Sequence, residues 1–550
     1  MGACSLGRVR TMPVSTVAAK FLDTLSDPEA AQRAVLRRLL AKNASTAYGR
    51  DHGFADCTDY ETFAARVPIV TYDALGPYID RLIAREPGVL IADEVVYLAT
   101  SSGTTARKKY IPIHRGFLDE TSTWMALERY FLERAHPEVR DALELRYVNR
   151  VEDVLPSGIE AGSVSGWYYG ELAKAGAYRE LVPYEVFQLP GVLGRNYAVL
   201  RFALANSAIG QFAAVNPSTL LLLTQQLAKD AEALIRDVRD GTLRHPELAE
   251  HRFADPRLAA NPERARQLEA AVARDGALRP KAAWPDLRLL SCWINAGAGL
   301  YRADLTTAFG DDVTVWDYGY TSTEGRVTVT VQDDGAGIPL LSSVFLELRR
   351  EDGTIVPLFA AGRDETGELL VTSSRGLYRY TMGDVVSAVA FEQRTPLLRF
   401  RRKTTAVASL TGEKLTEEQV VRVVETALAA RGVKAKYFCL APVWGQPPRY
   451  LLVCEAAGSW LSEADEQVLL SSIERGLFEV NAEYERKRET LRLGPLGLLV
   501  LERGEYERYI ARLTATGREL ARIKVPRVTI DVELVKGFTG RVVEPTSGRG

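Results

Sequence analysis

The hydrophobic positions of this chain change period repeatedly along its length. Near the start, Ser26-Asp27-Pro28-Glu29 precedes apolar residues at Ala31, Val35, Leu39 and Leu40. That spacing predicts an amphipathic helix, with Ser26 as its cap, Pro28 in the first turn and Glu29 completing a capping box. Thr416-Glu417-Glu418-Gln419 makes a similar start ahead of Val420, Val423, Val424, Ala427 and Leu428. Strand-like runs occur at Val95–Thr100, Val313–Tyr318, Glu368–Thr372, Tyr437–Leu440 and Tyr450–Glu455, and long helical patterns at Ser218–Asp240 and Arg264–Gly276. Strands alternating with helices predict an α/β fold. There is no fixed-period repeat and no low-complexity segment.

Length and charge sharpen this picture. A chain of 550 residues has room for several structural units. The cationic stretch Arg399-Phe400-Arg401-Arg402-Lys403 follows a Pro-containing loop and leaves about 150 residues, enough for one small domain. The division expected is residues 1–400, a hinge at 401–403, and residues 404–550, with a Gly-, Thr- and Ser-rich frayed end after 538. With 46% hydrophobic and 25% charged residues the chain reads as globular, which excludes disorder, collagen and coiled coil. Lys and Arg total 69 against 71 Asp and Glu, a balance that argues against nucleic-acid or polybasic membrane partners. The uncharged run Phe202–Ala228 carries Asn206, Gln211, Asn216, Pro217 and Ser218, so it reads as core rather than membrane. Five scattered cysteines without a CxxC pair and an N-terminus without an apolar signal core predict a cytoplasmic protein with reduced thiols.

Four segments carry candidate chemistry. In the first, Tyr97-Leu98-Ala99-Thr100 runs into Ser101-Ser102-Gly103-Thr104-Thr105-Ala106-Arg107-Lys108-Lys109. Backbone N–H groups and hydroxyls of such a loop can surround phosphate oxygens, with Lys108 or Lys109 neutralising charge; a plain polar turn is the alternative. No Walker A sequence occurs. In the second, Trp316-Asp317-Tyr318 leads to Gly319-Tyr320-Thr321-Ser322-Thr323-Glu324-Gly325, whose Glu324 suits Mg²⁺ or, more blandly, solvent at a strand end. In the third, Tyr378-Arg379-Tyr380-Thr381-Met382-Gly383-Asp384-Val385-Val386, Asp384 can hold a ribose diol or occupy a tight Gly-Asp turn between strands. In the fourth, Lys524 lies beside the bend at Pro526 and can reach into a site or simply face water.

Taken in order, these segments resemble the adenylate-forming superfamily, and within it the GH3 family of acyl acid amido synthetases, in a bacterial-type version. The first loop resembles the family's Ser-Ser-Gly-Thr phosphate loop, with Ala106 where Gly is usual. Tyr320-Thr321-Ser322-Thr323-Glu324 looks like its Tyr-x-Ser-Ser-Glu motif, and Tyr378–Val386 nearly matches its third. Asn216-Pro217-Ser218 and Gly412-Glu413-Lys414 are similar too. The resemblance implies a large N-terminal domain of packed sheets and helices and a smaller, mobile C-terminal α+β domain turning about Arg402-Lys403. It implies ATP and Mg²⁺ as cofactors, with a carboxylic acid and an amine, in all expectation an amino acid, as small-molecule partners. Residue by residue it places Ser101, Ser102, Gly103, Thr104, Thr105 and Thr323 on ATP, with Tyr320 against adenine, Asp384 on ribose and Arg402 at the hinge. Glu324 takes Mg²⁺, Lys109 the loop lysine's role, and Lys524 the α-phosphate during transfer. Gly162-Ser163-Val164-Ser165-Gly166-Trp167-Tyr168-Tyr169 falls where relatives line the acyl pocket, so Trp167, Tyr168 and Tyr169 are either that lining or core.

Two other readings share the motifs. An acid–thiol ligase would pass the acyl group to coenzyme A or a carrier protein, for which Arg486, Lys487, Arg488, Arg492, Arg508, Arg512, Arg518 and Arg522 offer basic charge. A non-catalytic nucleotide-binding protein would dispense with Glu324, Asp384 and Lys524, yet all three are present. A Ser-His-Asp hydrolase lacks its G-x-S-x-G elbow, and Gly297-Ala298-Gly299 lacks the third glycine of a dinucleotide fingerprint.

Overall fold

A computed structural model describes residues 13–101, 109–294, 301–403, 407–515 and 527–546. These fall into two compact units, one ending with the strand Thr395–Lys403 and the other beginning at Val407.

The first unit holds three sheets among its described residues. A parallel sheet takes the order Leu143–Arg146, Ile209–Ala213, Leu289–Cys292, Thr314–Asp317. Its strands are short apolar runs, as expected when helices cover both faces. A second sheet pairs Val95–Ser101 with Lys109–His114 and extends through Glu160–Gly162 to Val151–Val154. The third is a seven-stranded antiparallel sheet centred on Thr366–Ser373, Leu377–Glu392 and Thr395–Lys403. The helix Pro28–Asn43 is strapped to it by a buried amide. Gln32 donates to the carbonyls of Leu341 and Val344 at 3.0 and 2.6 Å and accepts from the Leu346 N–H at 2.9 Å. The second unit packs Glu417–Ala429 and Glu463–Val480 on a four-stranded sheet of Ala435–Val443, Arg449–Ala456, Gly497–Leu501 and Gly540–Val543.

Most predicted elements are present within two or three residues of their expected ends. The capping box at Thr416 is formed in both directions with Gln419. Three expectations are corrected. The chain after 538 is not a frayed end throughout, because Gly540–Val543 pairs antiparallel with Gly497–Leu501. Ser26 does not cap the first predicted helix: its hydroxyl donates back to the Asp23 carbonyl at 3.0 Å, and Asp27 accepts from the Ala30 N–H at 3.1 Å instead. Asp27 outcompetes it because Pro28 occupies the first helical position directly after it. The pattern Ser218–Asp240 is two helices, Pro217–Lys229 and Ala231–Asp240, broken at Asp230, whose side chain accepts from Gln226 at 3.1 Å. The run Phe202–Ala228 is divided among a helix end, the buried strand Ile209–Ala213 and the next helix. Among the described residues no helix is long and apolar enough to cross a membrane. Cys57, Cys292, Cys439 and Cys454 are free and buried.

Candidate active site

The strand Val95–Ser101 returns through Lys109–His114 with Ser101 opposite Lys109, so the hydroxyl-rich loop connects two hydrogen-bonded strands. Ser102, Gly103, Thr104, Thr105 and Lys108 lie outside the described residues, as does Lys524. Lys109 begins the return strand, and its ammonium lies 5.5 Å from the centroid of the Tyr72 ring, a cation–π contact. The Tyr72 hydroxyl in turn accepts from the Tyr110 N–H at 2.7 Å.

The second motif leaves the C-terminal end of the last parallel strand, where open α/β sheets place their ligands. Asp317, buried at that end, accepts from the N–H groups of Ile294 at 2.7 Å and Gly319 at 2.6 Å. One carboxylate thereby fixes two chain segments. Gly319 has φ +67°, and a Cβ there would stand 2.5 Å from the Thr330 hydroxyl, so conformation and space both demand glycine. A turn then closes between Ser322 and Gly325, with N–H to carbonyl at 3.0 Å and the Ser322 hydroxyl accepting from Gly325 at 3.2 Å. Glu324 sits in this turn and is 7% exposed. The Thr323 hydroxyl reaches the Thr100 carbonyl at 3.4 Å, joining the first motif to the second.

Arg375 was not singled out by sequence reasoning, although it stands three residues before the third motif. Its guanidinium donates to the Thr323 carbonyl and lies 3.5 Å from the centroid of the Phe117 ring. Burial first, and then the Arg326 charge, depress it to about 9, while Glu120 and Glu324 oppose that shift. A buried cation therefore stands within electrostatic reach of Glu324.

Asp384 occupies neither a turn nor a gap between strands, as the sequence suggests, but the middle of the continuous strand Leu377–Glu392. Opposite it the register jumps: Leu370 pairs with Thr381 and Glu368 with Val385, so extra residues bulge around Gly383, at φ +69°. Such a bulge re-aims side chains without ending the strand. The Asp384 carboxylate accepts from the Tyr320 hydroxyl at 2.6 Å. The Tyr320 ring stacks on Phe400 at 5.8 Å and 12°. Burial, then the Asp384 and Glu324 charges, hold the Tyr320 phenol well above its ordinary range. Tyr380 is raised by burial and then by Glu324, Tyr72 and Asp384. Tyr72, Tyr320 and Tyr380 thus gather residues of the first three motifs at one place. Arg402 lies opposite Val385 in the adjoining strand and Lys403 opposite Asp384.

The aromatic segment divides. Trp167 stacks on Phe117 at 5.9 Å and 29° and lies 6.2 Å from Tyr97, in the interior between helix and sheet. Tyr168 shares a hydrogen bond with Ser122 at 3.2 Å, and Tyr169 packs edge-on to it. Both tyrosines lie near Arg146 and Arg326.

Beneath them Glu128 is buried, and desolvation raises it to about 7, against the pull of Arg146. A carboxyl raised in the folded state binds its proton more tightly there than when unfolded. Its protonated form therefore favours the fold at low pH, and that contribution is lost as pH rises from about 4.5 to about 7. Glu128→Gln is accordingly expected to stabilise the protein by about 2 kcal/mol at pH 8 and by almost nothing at pH 4.5. Thermal melts of both proteins across that range check it; a gain independent of pH would refute the assignment.

Family models match in chain order: the GH3 family N-terminal domain over residues 17–314, the central domain over 343–403 and the C-terminal domain over 418–533. A probable indole-3-acetic acid-amido synthetase of Oryza sativa subsp. japonica is 29% identical, covering 93% of this chain and 93% of its own. A jasmonoyl–L-amino acid synthetase of the same plant is 25% identical, over 91% and 92%. Among solved structures, an acyl acid amido synthetase in complex with 2,4-DB superposes with a TM-score of 0.67 at 20% identity, covering 97% of each chain, and so shares the fold. Three successive domain matches take in most of the first unit, including the bulged strand of Asp384, and most of the second, and the chain belongs to the GH3 family.

Proposed function

We propose that the protein is an ATP-dependent amide synthetase that couples a carboxylic acid to an amine, most simply an amino acid. The acid's carboxylate oxygen attacks the α-phosphorus of ATP, forming an acyl-adenylate as pyrophosphate leaves. The amine nitrogen then attacks the acyl carbon, loses a proton, and AMP leaves with the carbonyl–phosphate oxygen. The observation that carries this reading is the convergence of Glu324 and Asp384, from separate motifs, on Tyr320 and Tyr380.

Charge on phosphate oxygens dominates the first step, so positioning and electrostatics matter more than a protein nucleophile. Asp384 is assigned to the ribose diol, with Tyr320 holding its carboxylate from behind rather than lying on the adenine. Glu324 fits a magnesium ion carried by ATP: it is a hard carboxylate on a buried turn, flanked by the hydroxyl residues Thr321, Ser322 and Thr323. Bound there, the ion neutralises charge on the phosphates. Lys109, with Ser101, Ser102, Gly103, Thr104 and Thr105, is assigned to the phosphates, Lys524 to the α-phosphate, and Arg402 to the hinge about which the second unit moves between half-reactions. The domain limits 1–400 and 404–550 belong to this proposal.

An amino acid acceptor is favoured over a carrier protein by how the basic residues of the second unit are spent. Lys487 is buried against Glu483 at 2.9 Å, Arg488 binds Glu474 at 2.6 Å, and Arg508 and Arg512 both bind Glu505, at 2.6 and 3.0 Å. Among the described residues these four cations are therefore already paired with carboxylates of their own unit.

Pyrophosphate release is to be measured over a panel of aromatic, indolic and aliphatic acids, without amine and then with amino acids or coenzyme A. Acid-dependent release with an amide mass only when an amino acid is present supports the proposal. A thioester mass indicates the ligase alternative, and ATP binding without release the non-catalytic one. Within the proposal, Tyr320→Phe is expected to weaken ATP binding ~10-fold through the freed Asp384 carboxylate. Unchanged affinity by calorimetry would remove Tyr320 from nucleotide positioning.

A further inference from the structure

Arg326 follows Glu324 by two residues and stands apart from the phosphate and ribose contacts assigned above. Its guanidinium lies 4.5 Å from the centroid of the Trp124 ring. The phenols of Tyr168, Tyr169 and Tyr318 and the guanidiniums of Arg146 and Arg375 are titratable neighbours. Among the described residues it has no carboxylate partner, and its Nε is sealed from solvent with no hydrogen bond. The residue nevertheless keeps part of its surface open. The neighbouring cations have partners: Arg146 pairs with Glu144 at 2.5 Å and donates to the Tyr318 hydroxyl at 3.3 Å, and Arg375 donates to the Thr323 carbonyl. The Tyr169 hydroxyl also is buried without a partner among the described residues.

A guanidinium desolvated among rings and beside a second guanidinium is costly to the fold unless an anion completes it. The aromatic walls suit an organic ligand, and the unmatched charge specifies where its anionic group belongs. The acid's reacting carboxylate is a poor candidate. It loses its charge on becoming an acyl-adenylate, so a cation gripping it would favour the substrate over the transition state.

We propose that Arg326 binds a second anionic group of the acyl substrate, remote from the carboxylate that is adenylated, and that the natural acid is accordingly a dicarboxylate or an equivalent dianion. This deepens the synthetase reading and rests on it only for the identification of the Arg326 cluster with the acyl site. Trp124 and Tyr168 would hold the skeleton between the two charged ends, and the Tyr169 hydroxyl would donate to the distal group.

The test uses acids matched in skeleton: benzoate against terephthalate, and octanoate against octanedioate. Direct binding by calorimetry and acid-dependent pyrophosphate release are measured on the full chain and on Arg326→Gln and Arg326→Lys, with thermal melts to verify folding. The dicarboxylate of at least one pair is expected to be preferred ~10–100-fold by the unaltered protein. Arg326→Gln should reduce that preference to within about threefold, and Arg326→Lys should restore part of it. Equal losses for both members of a pair, or no preference in the unaltered protein, would overturn the proposal. A calorimetric preference that depends on Arg326 without any pyrophosphate release would uphold this site while refuting the synthetase reading. Release without discrimination would do the reverse.

Discussion

Glu324→Gln is expected to cut acid-dependent pyrophosphate release by ~10²–10³-fold. The amide has the size of the carboxylate and can be held by the same Ser322–Gly325 turn, so the melting midpoint should move by no more than about 2 °C. What changes is charge. A neutral amide is a weaker ligand for a hard divalent ion, and the loss falls on the step in which negative charge moves onto pyrophosphate. Arg375 adds to the effect, because Glu324 is among the few negative groups offsetting that buried cation. Raising the Mg²⁺ concentration should recover part of the rate. Release within threefold of the unaltered protein, at matched ATP occupancy, would exclude Glu324 from phosphate chemistry.

Arg379→Ala is expected to destabilise the first unit by ~3–5 kcal/mol, enough to lose folded protein at 37 °C. Arg379 lies inside the third motif, but it is turned away from Asp384 and into the scaffold. Its guanidinium reaches both oxygens of Glu347 at 2.9–3.1 Å and the carbonyls of Ala64 and Val67 at 2.8 and 3.0 Å. Glu347, also hydrogen-bonded by Tyr60 at 3.1 Å, is 1% exposed and raised by burial against Arg379's opposing pull. Removing Arg379 leaves that carboxylate buried alone. The backbone at Arg379 has φ +48°, a conformation that side chains other than glycine rarely adopt. Val70 braces this stretch: its N–H donates to the Arg379 carbonyl at 3.2 Å and its carbonyl accepts from the Thr381 N–H at 2.9 Å. Adding Glu347→Ala to Arg379→Ala should recover at least 1 kcal/mol, because the stranded charge is then gone. Strictly additive losses in urea melts would show that the two residues are not coupled.

The third motif illustrates how far sequence reasoning reached. Its nine residues stand out as a string, and the string locates the site. Their division of labour is invisible there, because strand residues alternate faces only while the register holds, and here the register jumps between Thr381 and Val385. Tyr378 and Arg379 serve packing, with Tyr378 stacked on Tyr48 at 5.3 Å, whereas Asp384 faces Tyr320. The aromatic trio divides similarly: Trp167 belongs to the interior, while Tyr168 and Tyr169 face Arg146 and Arg326. Arg375 stands three residues before one recognised string and Arg326 directly after another. A lone arginine is usually a solvated charge, and only long-range packing against Phe117 and Trp124 distinguishes these two.

By itself the sequence determined the alternation of strands and helices, the cap at Thr416, and the order of the loop, Glu324 and Asp384 along the chain. Those properties depend on near neighbours: periodicity of 2 or 3.6 residues, a capping side chain, a glycine before a turn. The tertiary structure alone decided which residues meet across large separations. Tyr320 and Asp384 are 64 positions apart, Arg379 and Glu347 32, and Gln32 and Leu341 309. Such pairings follow from sheet register, bulges and the desolvation of charge, which depend on everything packed around a residue and leave no mark in its immediate sequence.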